Sequence, residues 1–511
     1  MIFLTGAPAS GKTTLGRRLA TALGVSFVDL DAEIVRVAGQ TIPEIFATQG
    51  EAAFRDLEAQ TLTQIRDAGV VALGGGTLLR EANRAFCEKT GTVICLDTPS
   101  DDELARRLGA AQGMRPLGDR ARERAAHYAS FPNRIAGWFD LGDSLVLCGE
   151  GLARVFLAGR PVVADATVAS LWAEKLGIDP IATIPSGEQH KTIGTVTSLW
   201  GAFARAGLGR RDTVAALGGG VTGDLTGFAA ATWMRGIDWI NVPTTLLSMV
   251  DASTGGKTGC DLPEGKNLAG AFHAPKLVVI DVALLATLPP ATLRDGKAEM
   301  IKHEIISVGT APRGSCKTFA VADGTSPSLP KNAGFLRSCE DTGGSRLSRP
   351  GFCNCFPQET GPVPGETSEN VPKAAEIARN LAVKVGIVRE DPFERLGRRL
   401  LLNCGHTVAH AIEKATNYAV SHGSAVAIGC VEEARIAARR GLSPAGWPDE
   451  LAARFAAVGL PTALPRGLSL AALVPLMKGD KKRAGAVVTF ALPCGWGDVR
   501  AVPIDLEKEA L

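Results

Sequence analysis

Short apolar runs alternate with stretches of helical periodicity through the first part of the chain. Residues 1–5 and 25–30 are apolar runs, and residues 13–24 between them have the pattern of a helix that ends at Gly24. A similar alternation returns in four segments further along: residues 161–165, 167–176, 181–185 and 214–217. Apolar runs of strand length separated by helices predict parallel sheets of the α/β class.

Toward the C-terminus the pattern becomes mostly helical. The predicted helices are residues 371–388, about 400–416, 422–441, 447–458 and 469–478, and residues 486–492 are a predicted strand. In the second of these helices an apolar band is formed by Leu401, Leu402, Val408, Ala409, Ile412 and Ala415. His406 and His410 are four residues apart, so both project from one face of that helix.

Three histidines within 17 residues, His406, His410 and His422, form a candidate metal centre. Imidazole is the commonest metal ligand and also an acid or base at neutral pH. A catalytic zinc ion needs a further ligand, often a carboxylate, and one open position. The alternative from spacing alone is a helix with two ordinary histidines and an unrelated third.

Length and composition indicate a multidomain globular protein. A chain of 511 residues is too long for one core, and two to four domains are expected. The net charge of +2 indicates no nucleic-acid partner, and no apolar run approaches the 18 residues of a membrane span. The 11 scattered cysteines without a CxxC pair favour a reducing, cytoplasmic location.

A complete GxxxxGK[ST] motif follows the first predicted strand and precedes the first helix. In this context backbone amides cradle phosphates, Lys12 reaches the terminal phosphates and Thr13 holds Mg²⁺, which predicts a kinase that uses ATP with magnesium. The predicted ATP-binding residues here are Gly6, Ala9, Ser10, Gly11, Lys12, Thr13 and Thr14. The next strand ends in Asp29-Leu-Asp31, and two carboxylates beside the loop suit one magnesium contact and one base.

The N-terminal part resembles shikimate kinase. The family's DxD, FRxxE (residues 54–58), GGG (residues 74–76) and RPL (residues 115–117) occur in order. The resemblance implies that Asp31 is the base at the accepting hydroxyl and binds shikimate with Arg55, Gly76 and Arg134. The neighbours of Arg134 depart from the family pattern. The resemblance also implies that Arg115 lies over ATP.

A second glycine-rich turn and a polar run predict a nucleotide site in the middle of the chain. The turn, residues 218–223, matches GxGxxG between a predicted strand and a helix. The run over residues 242–267 holds Asp251, Lys257, Lys266 and Asn267. Lysines at this density predict an anionic ligand.

This run resembles 3-dehydroquinate synthase, as do five other blocks: residues 185–192, 218–228, 298–303, 401–413 and 479–482. The resemblance implies NAD in the first domain and zinc, or cobalt, in the second. The implied NAD-binding residues are Ser186, Gly187, Glu188, Gln189, His190, Lys191, Gly220, Val221, Thr222, Gly223, Asp224, Thr244, Thr245, Lys257, Lys266, Leu284, Leu285, Ala286 and Thr287. The implied metal ligands are Glu299, His406 and His422, and the implied catalytic or substrate-binding residues are Asp251, Lys257, Lys302, Arg399, Asn403, His410 and Lys481.

The implied substrate is 3-deoxy-arabino-heptulosonate 7-phosphate. By the resemblance, NAD⁺ oxidises its C5 carbinol, zinc polarises that oxygen, phosphate leaves, and the returned hydride makes the cofactor catalytic. Ring opening and an intramolecular aldol step then give 3-dehydroquinate. His410, beside the metal but not on it, would be a proton shuttle or a substrate ligand.

Residues 311–371 break the pattern, since Gly, Pro, Ser and Thr make up 27 of these 61 residues and no periodicity is visible. Two interpretations stay open: an inserted loop, which is thermodynamically tolerable, or a segment translated in a shifted frame, which the missing family helix favours. Two further departures are Ser424, where the family usually has a glutamate after His422-Gly, and an N-terminal synthase hairpin that we expect to be truncated before residue 160.

The predicted organisation is a P-loop kinase domain with a parallel sheet, a dinucleotide-binding α/β domain and a mostly α-helical metal-binding domain. The boundaries are residues 1–147, 160–310 and 372–511, with 311–371 as the anomalous segment. We predict a bifunctional enzyme of aromatic amino-acid biosynthesis with small-molecule substrates, and a homodimer through the synthase half is an option. The alternatives are an active kinase joined to a related sugar-phosphate cyclase or polyol dehydrogenase, or to an inactive scaffold.

Overall fold

The computed structural model describes residues 1–98, 123–307, 371–477 and 487–509, and the backbone of residues 483–484. Arg115, Lys481 and the anomalous residues 311–370 therefore lie outside the described part, and the predictions made for them stay predictions. Among the described helices, none combines the length and the apolar character that a membrane span requires.

Sixteen strands are described. In chain order they are β1 (Ile2–Gly6), β2 (Phe27–Asp29), β3 (Val70–Ala72), β4 (Thr92–Leu96), β5 (Arg134–Asp140), β6 (Leu145–Glu150), β7 (Val162–Asp165), β8 (Ala182–Ile184), β9 (Thr213–Gly218), β10 (Asp238–Pro243), β11 (Lys257–Leu262), β12 (Gly265–Phe272), β13 (Leu277–Asp281), β14 (Arg483–Ala484), β15 (Val487–Gly495) and β16 (Asp498–Asp505). Eleven of them form one sheet in the order β2-β3-β1-β4-β5-β6-β13-β10-β9-β7-β8.

The described α-helices pack against the strands of the sheet and build most of the C-terminal part. They are α1 (Lys12–Leu23), α2 (Leu30–Ala38), α3 (Ile42–Gln64), α4 (Glu81–Thr90), α5 (Ala125–Ala129), α6 (Leu152–Leu157), α7 (Ala166–Leu176), α8 (Ile193–Arg205), α9 (Gly220–Thr232), α10 (Pro290–Ser307), α11 (Ala374–Glu390), α12 (His406–Ala415), α13 (His422–Arg439), α14 (Trp447–Ala456) and α15 (Leu470–Met477). The predicted combination of parallel-sheet α/β parts and a helical C-terminal part is confirmed.

The hairpin of β5 and β6 joins the kinase-like and synthase-like parts into one sheet. On one side β5 runs parallel to β4, with Leu96 opposite Ile135. Within the hairpin the strands are antiparallel, and on the other side β6 runs parallel to β13, with Leu147 opposite Val279. A hairpin is thus present before residue 160, and the expectation that it is shorter than the family's stays a prediction.

The corner of this hairpin is fixed from both sides by charged side chains. Arg18 on α1 forms a bidentate ion pair with the Asp140 carboxylate, and both N–O distances are 2.6 Å. Arg389 on α11 donates to the backbone oxygen of Asp140. The helix that starts at the phosphate loop and a helix of the synthase-like part therefore hold the same residue.

The hydrophobic core is continuous across the same junction. Leu4 and Leu15 from the first strand and helix, Trp138 from the hairpin, and Ile280 and Ile377 from the synthase-like part belong to one buried cluster. Burial of apolar surface is the main favourable contribution to folding, about 25 cal/mol per Å². We therefore expect these parts of the chain to unfold together.

The helical part has its own core, and its helices carry the predicted metal site. Helices α10, α12, α13 and α14 and the strands β15 and β16 surround a second buried cluster that includes Val408, Val431 and Phe490. The predicted helix over 400–416 is divided: Arg398–Asn403 is a 3-10 turn, and α12 begins at His406 after the left-handed Gly405. His406 therefore lies in the first turn of a helix, where Gly405 is required because a Cβ atom there would lie 2.4 Å from Cys430 Sγ.

We predict that Asp140→Ala lowers the thermal stability of both activities by a similar amount. The substitution leaves the partly buried Arg18 without its anion, which costs about 1–3 kcal/mol. The measurement is residual activity of each enzyme after graded heating. Arg36→Gln, at an exposed pair with Glu33, is the control and should change little. Loss of the two activities at well-separated temperatures would contradict a shared core.

Candidate active sites

The loop after β1 is organised around Lys12 as a phosphate-binding loop. Gly11 takes φ +95°, a left-handed value that glycine adopts without strain, directly before α1. The Lys12 ammonium donates to the carbonyl oxygens of Gly6, at 3.0 Å, and Ala7, at 2.8 Å. Burial lowers the pKa of Lys12 to about 8, although the Asp31 carboxylate acts in the opposite direction. The amine thus lies inside the loop that cradles phosphates.

Two carboxylates at the end of β2 face this loop. The Thr13 hydroxyl donates to Asp29 Oδ2 at 2.6 Å, which brings the predicted magnesium ligand next to a carboxylate. Burial raises the pKa of the Asp31 carboxyl, and the negative charges of Asp29 and Glu58 add to this effect. A carboxylate with a raised pKa is a stronger base, which suits the role predicted for Asp31.

Arg55 and Gly76 come together beside Asp31. Glu58 is buried, and its Oε2 lies 2.8 Å from Arg55 Nη1. Its other oxygen, Oε1, accepts a hydrogen bond from the Thr77 hydroxyl at 2.7 Å. A Cβ atom on Gly76 would lie 3.0 Å from Arg55 Nη2. The absence of a side chain at Gly76 leaves the guanidinium accessible to an anionic ligand.

The second arginine of this site is Arg124, which the sequence reasoning missed. Its Nη1 would lie 3.1 Å from a Cβ atom on Gly76, so it flanks the same glycine as Arg55. Arg134 instead pairs with Asp97 at 2.6 Å from the start of β5. The useful signal was Tyr128, four residues after Arg124, whose hydroxyl donates to the Gly75 oxygen at 2.8 Å. We therefore replace Arg134 by Arg124 among the candidate shikimate ligands.

The predicted NAD loop, residues 186–191, lies beside the ends of β7 and β8. The Ser186 hydroxyl donates to Asp165 at 2.8 Å, and Asp165 also accepts the amide hydrogens of Thr167 and Val168 at the start of α7. The sequence reasoning did not select Asp165, although a carboxylate at the end of a strand in a dinucleotide domain is a candidate ribose ligand. The structure therefore adds Asp165 to this candidate site.

Lys191 connects the NAD loop to the glycine-rich turn. It is buried and pairs with Asp224 on α9 and with Asn267, both at 2.6 Å. Its pKa is raised, since the charges of Asp224 and Glu188 outweigh the opposing effect of burial. Lys266 lies 3.4 Å from Glu188, so the loop, the turn and the β11–β12 hairpin meet.

The remaining predicted NAD residues surround this junction. Gly220, Val221, Thr222 and Gly223 form the first turn of α9, Thr244 and Thr245 follow β10, and Leu284, Leu285, Ala286 and Thr287 lie in the 3-10 segment Val282–Thr287. A helix that begins directly after a strand presents free amide groups to a phosphate. The Thr287 hydroxyl accepts a hydrogen bond from the Trp172 indole at 2.8 Å, and this bond ties the 3-10 segment to α7.

Glu299, His406 and His422 converge, although residues 311–370 separate the first from the other two. Glu299 Oε1 lies 3.4 Å from Nε2 of each histidine. His406 Nδ1 is 3.0 Å from the Cys404 oxygen and His422 Nδ1 is 3.2 Å from Glu413 Oε1. Because each Nδ1 is engaged by an acceptor, each Nε2 directs a lone pair toward the carboxylate when the ring is neutral.

These three side chains fit a divalent cation. Both Glu299 oxygens are fully buried and make no hydrogen bond of normal geometry to a described residue. Burial lowers the pKa of His406 to about 4, and the Lys302 charge adds to this effect. Burial opposes protonation of His422 also, but Glu299 and Glu413 outweigh it and raise its pKa to about 10. Two imidazoles and one carboxylate are a common set for catalytic zinc.

The Ser424 departure does not leave His422 without a carboxylate. Glu413, on α12, supplies the acceptor for His422 Nδ1. Ser424 lies 2.9 Å from the Ser421 hydroxyl, which donates to Asp295 at 2.6 Å. Glu413 is therefore the carboxylate in position to orient His422, because such outer partners orient metal-ligating histidines.

A charged cluster adjoins the candidate metal site. The Asp251 oxygen Oδ1 lies 2.7 Å from Lys384 and 4.0 Å from Lys302, and Lys302 also pairs with Glu299. Burial would raise the pKa of Asp251, but the two lysines outweigh it and lower that pKa. Lys384 was not predicted. A charged residue on the buried face of α11, three residues after Leu381, is the signal that could have revealed it.

The other predicted substrate-side residues line the same region. Arg399 is buried and donates to the Pro392 oxygen at 2.9 Å, and the Asn403 amide nitrogen has no hydrogen-bond partner among the described residues. The rings of His410 and His406 are 5.5 Å apart. Lys257 pairs with Glu394 across the loop at residues 391–397. The structure thus brings the described members of the predicted set to one place.

Comparisons with known proteins agree with this division of the chain. The shikimate kinase family model matches residues 8–135. The models of the N-terminal and C-terminal parts of 3-dehydroquinate synthase match residues 181–295 and 365–483.

Curated relatives and a solved structure extend these matches. 3-Dehydroquinate synthase of Symbiobacterium thermophilum is 38% identical over 359 residues, 68% of this chain and 88% of that protein. The synthase of a Synechococcus strain is 40% identical over 66% of this chain and 80% of that protein. A 2-deoxy-scyllo-inosose synthase structure with carbaglucose-6-phosphate, NAD⁺ and Co²⁺ matches 72% of this chain and 96% of its own, with a TM-score of 0.55.

That structure is only 24% identical and supports the fold of the synthase part alone. The family matches and the relatives together carry the functional assignment. The chain therefore belongs to the 3-dehydroquinate synthase family, carries a shikimate kinase domain in front of it, and combines both enzyme activities in one polypeptide.

Proposed function

We propose specific roles for the residues that carry out the two reactions. The observation that carries the synthase assignment is the convergence of Glu299, His406 and His422 beside the Asp251–Lys384 pair. In the kinase part it is the position of Lys12 and Thr13 next to Asp29 and Asp31. The substrates are shikimate with ATP, and the heptulosonate phosphate.

In the kinase reaction Asp31 accepts the proton of the attacking shikimate hydroxyl. Its raised pKa supports this role, since proton transfer is most effective when the base is not too weak. Arg55 and Arg124 hold the shikimate carboxylate, because guanidinium groups pair with carboxylates through two parallel hydrogen bonds. Lys12 neutralises charge on the transferred phosphoryl group, and Thr13 with Asp29 would hold its magnesium ion.

In the synthase reaction the anionic substrate is held by cations from two different elements. Lys257 and Lys266 from the β11–β12 hairpin and Arg399 from the 3-10 turn supply positive charge, and the Asn403 amide has a free donor. Phosphate and carboxylate groups both require such partners. His410, one turn from the ligand His406, is placed to move a proton to or from the substrate.

Asp251 serves as a hydrogen-bond acceptor for a substrate hydroxyl, since its side chain is 23% exposed. Lys384 and Lys302 keep it ionised, as its lowered pKa indicates. Glu299, His406 and His422 would hold zinc or cobalt, and residues 186–191 with α9 would hold NAD. When bound, these groups supply Lewis-acid polarisation and a reversible hydride acceptor.

We keep a cytoplasmic location and the absence of a nucleic-acid partner as parts of this proposal. The seven described cysteines are all buried and none of them forms a disulfide, which supports a reducing compartment. The net charge of +2 supports the second point. A homodimer through the synthase half also remains a proposal, and sedimentation would test it.

We predict that the purified chain has two separable activities. It should form ADP in a shikimate-dependent manner and release phosphate from the heptulosonate phosphate with NAD⁺, the latter lost with a chelator. Lys12→Ala should lower the first rate about 100-fold or more and leave the second, because one lost charge-stabilising donor costs that much. A zinc-supplied parent that releases no phosphate, or only oxidises polyols, would contradict the synthase role.

We predict that Glu299→Gln removes metal binding, since an amide replaces the one anionic ligand. Glu413→Gln should weaken zinc affinity about 10- to 100-fold through the orientation of His422. Metal content after dialysis against competing chelator measures both effects, and kinase activity of the same chain controls for folding. Full zinc retention by the Glu299 variant would disprove this ligand set.

We predict that Arg124→Met raises the KM for shikimate about 10- to 100-fold, because charge-assisted hydrogen bonds are worth about 1.5–3 kcal/mol. The KM for ATP should stay nearly constant. Arg134→Gln is the comparison and should affect shikimate binding much less, since its guanidinium engages Asp97. The opposite ranking of the two variants would restore Arg134 as the ligand.

A further inference from the structure

Glu433 is a fully buried carboxylate on α13, about three turns after the candidate metal ligand His422 at the start of the same helix. Its Oε2 accepts the amide hydrogen of Gly405 at 2.8 Å. Its Oε1 accepts the amide hydrogens of Thr407 at 3.1 Å and of Val408 at 3.2 Å. Both oxygens of a carboxylate on one helix are therefore engaged by the amides at the start of another.

These amides belong to the start of α12, whose first residue is the other histidine ligand, His406. The first amides of a helix have no acceptor within that helix, and the side chain of the residue before it usually supplies one. In α12 that residue is Gly405, which has no side chain to do so. Glu433 therefore supplies the missing cap from 28 residues further along the chain.

Two further residues on α13, about one turn before this carboxylate, contact the same segment. A Cβ atom on Gly429 would lie 2.1 Å from the Gly405 oxygen, so the two helices approach each other as closely as backbones can. The Cys430 thiol donates to the Cys404 oxygen at 3.7 Å, and that oxygen also lies 3.0 Å from His406 Nδ1. One face of α13 thus contacts the backbone on both sides of His406.

The charge of Glu433 also favours a cation at His406. The start of a helix carries a partial positive charge of about half an elementary charge, which opposes the binding of a cation close to it. A carboxylate that is hydrogen-bonded to the same amides offsets this partial charge. Because a buried site is poorly screened by water, the effect should be larger here than at an exposed helix end.

We propose that Glu433 is a positioning residue of the metal site in the synthase part. By capping α12 from α13, it fixes the backbone that bears His406 relative to the helix that begins with His422, and so keeps both Nε2 atoms directed at Glu299. Glu433 is not itself a ligand, because both of its oxygens face the amides of α12. The inference rests on the proposed metal site.

The first test compares Glu433→Gln with the neighbouring Glu432→Gln in the full-length chain. Glu433→Gln removes the charge and turns an NH2 group toward at least one backbone N–H, so zinc affinity should fall about 30-fold or more. Glu432 pairs with the partly exposed Arg435, and its substitution should change zinc affinity less than about threefold. Competition with a chromophoric chelator measures both affinities.

Two further readouts separate positioning from general stability. In the metal-free chain, hydrogen exchange over residues 404–409 should be faster in Glu433→Gln than in the parent, while exchange over α14 should be unchanged. The visible absorption of the cobalt-loaded chain should also change, because this absorption reports the geometry of the ligands. A defect of stability alone would lower the melting temperature and leave the cobalt spectrum as in the parent.

Glu433→Asp gives a second variant in case the glutamine variant does not fold. It keeps the charge, but it is one methylene group shorter and reaches fewer amides, so zinc affinity should fall about tenfold. Folding is judged by kinase activity and by exchange over α14. Zinc affinity within about threefold of the parent in folded Glu433→Gln, or in Glu433→Asp if the glutamine variant is unfolded, overturns the inference.

Failure of the proposed synthase function gives a different result. A parent that binds zinc but releases no phosphate refutes the synthase role, and the zinc affinities and cobalt spectra of the variants still decide the role of Glu433. A parent that binds neither zinc nor cobalt refutes the metal site and this inference together.

Discussion

The synthase part depends on a buried carboxylate that the described chain does not satisfy by hydrogen bonding. Glu299 is fully buried and pairs with Lys302, and a metal ion held together with His406 and His422 would complete its neutralisation. An uncompensated buried charge is costly, so helices α10, α12 and α13 must keep their relative positions for the site to exist. Gly405 and Glu413 serve this requirement, because one allows the close approach of α12 to α13 and the other orients His422.

The kinase part also holds a charged group that its neighbours pair incompletely, and there the group is a cation. Lys12 is a partly buried cation whose ammonium group donates to carbonyl oxygens, and two carboxylates lie close to it. A site that keeps charges buried and incompletely paired is poised to receive a charged ligand, because the ligand completes the pairing. Both active sites therefore keep charged groups buried at a cost in stability, and each lies beside a large hydrophobic core whose burial can offset this cost.

Much of this architecture follows from local sequence patterns. The phosphate loop, the glycine-rich turn and the four-residue spacing of His406 and His410 each specify a local geometry, and the structure contains each of them. Residue roles that depend on packing between distant parts of the chain were harder to predict. Arg124 and Arg134 are equally basic, and only the packing of α5 on Gly75 distinguishes them. Lys384 is recognisable only when the buried face of α11 is known, and the partner of His422 comes from another helix than the one expected.

The hairpin at residues 134–150 has a consequence for how such a fusion can evolve. A break between the two enzymes would expose the edges of β4 and β13, and unpaired edges of this kind invite aggregation. The two catalytic functions are therefore synthesised, and removed by proteolysis, in a fixed one-to-one ratio. The rate of one reaction relative to the other must then be set by the kinetic constants or by the metal supply. The cell can no longer change the two enzyme amounts separately.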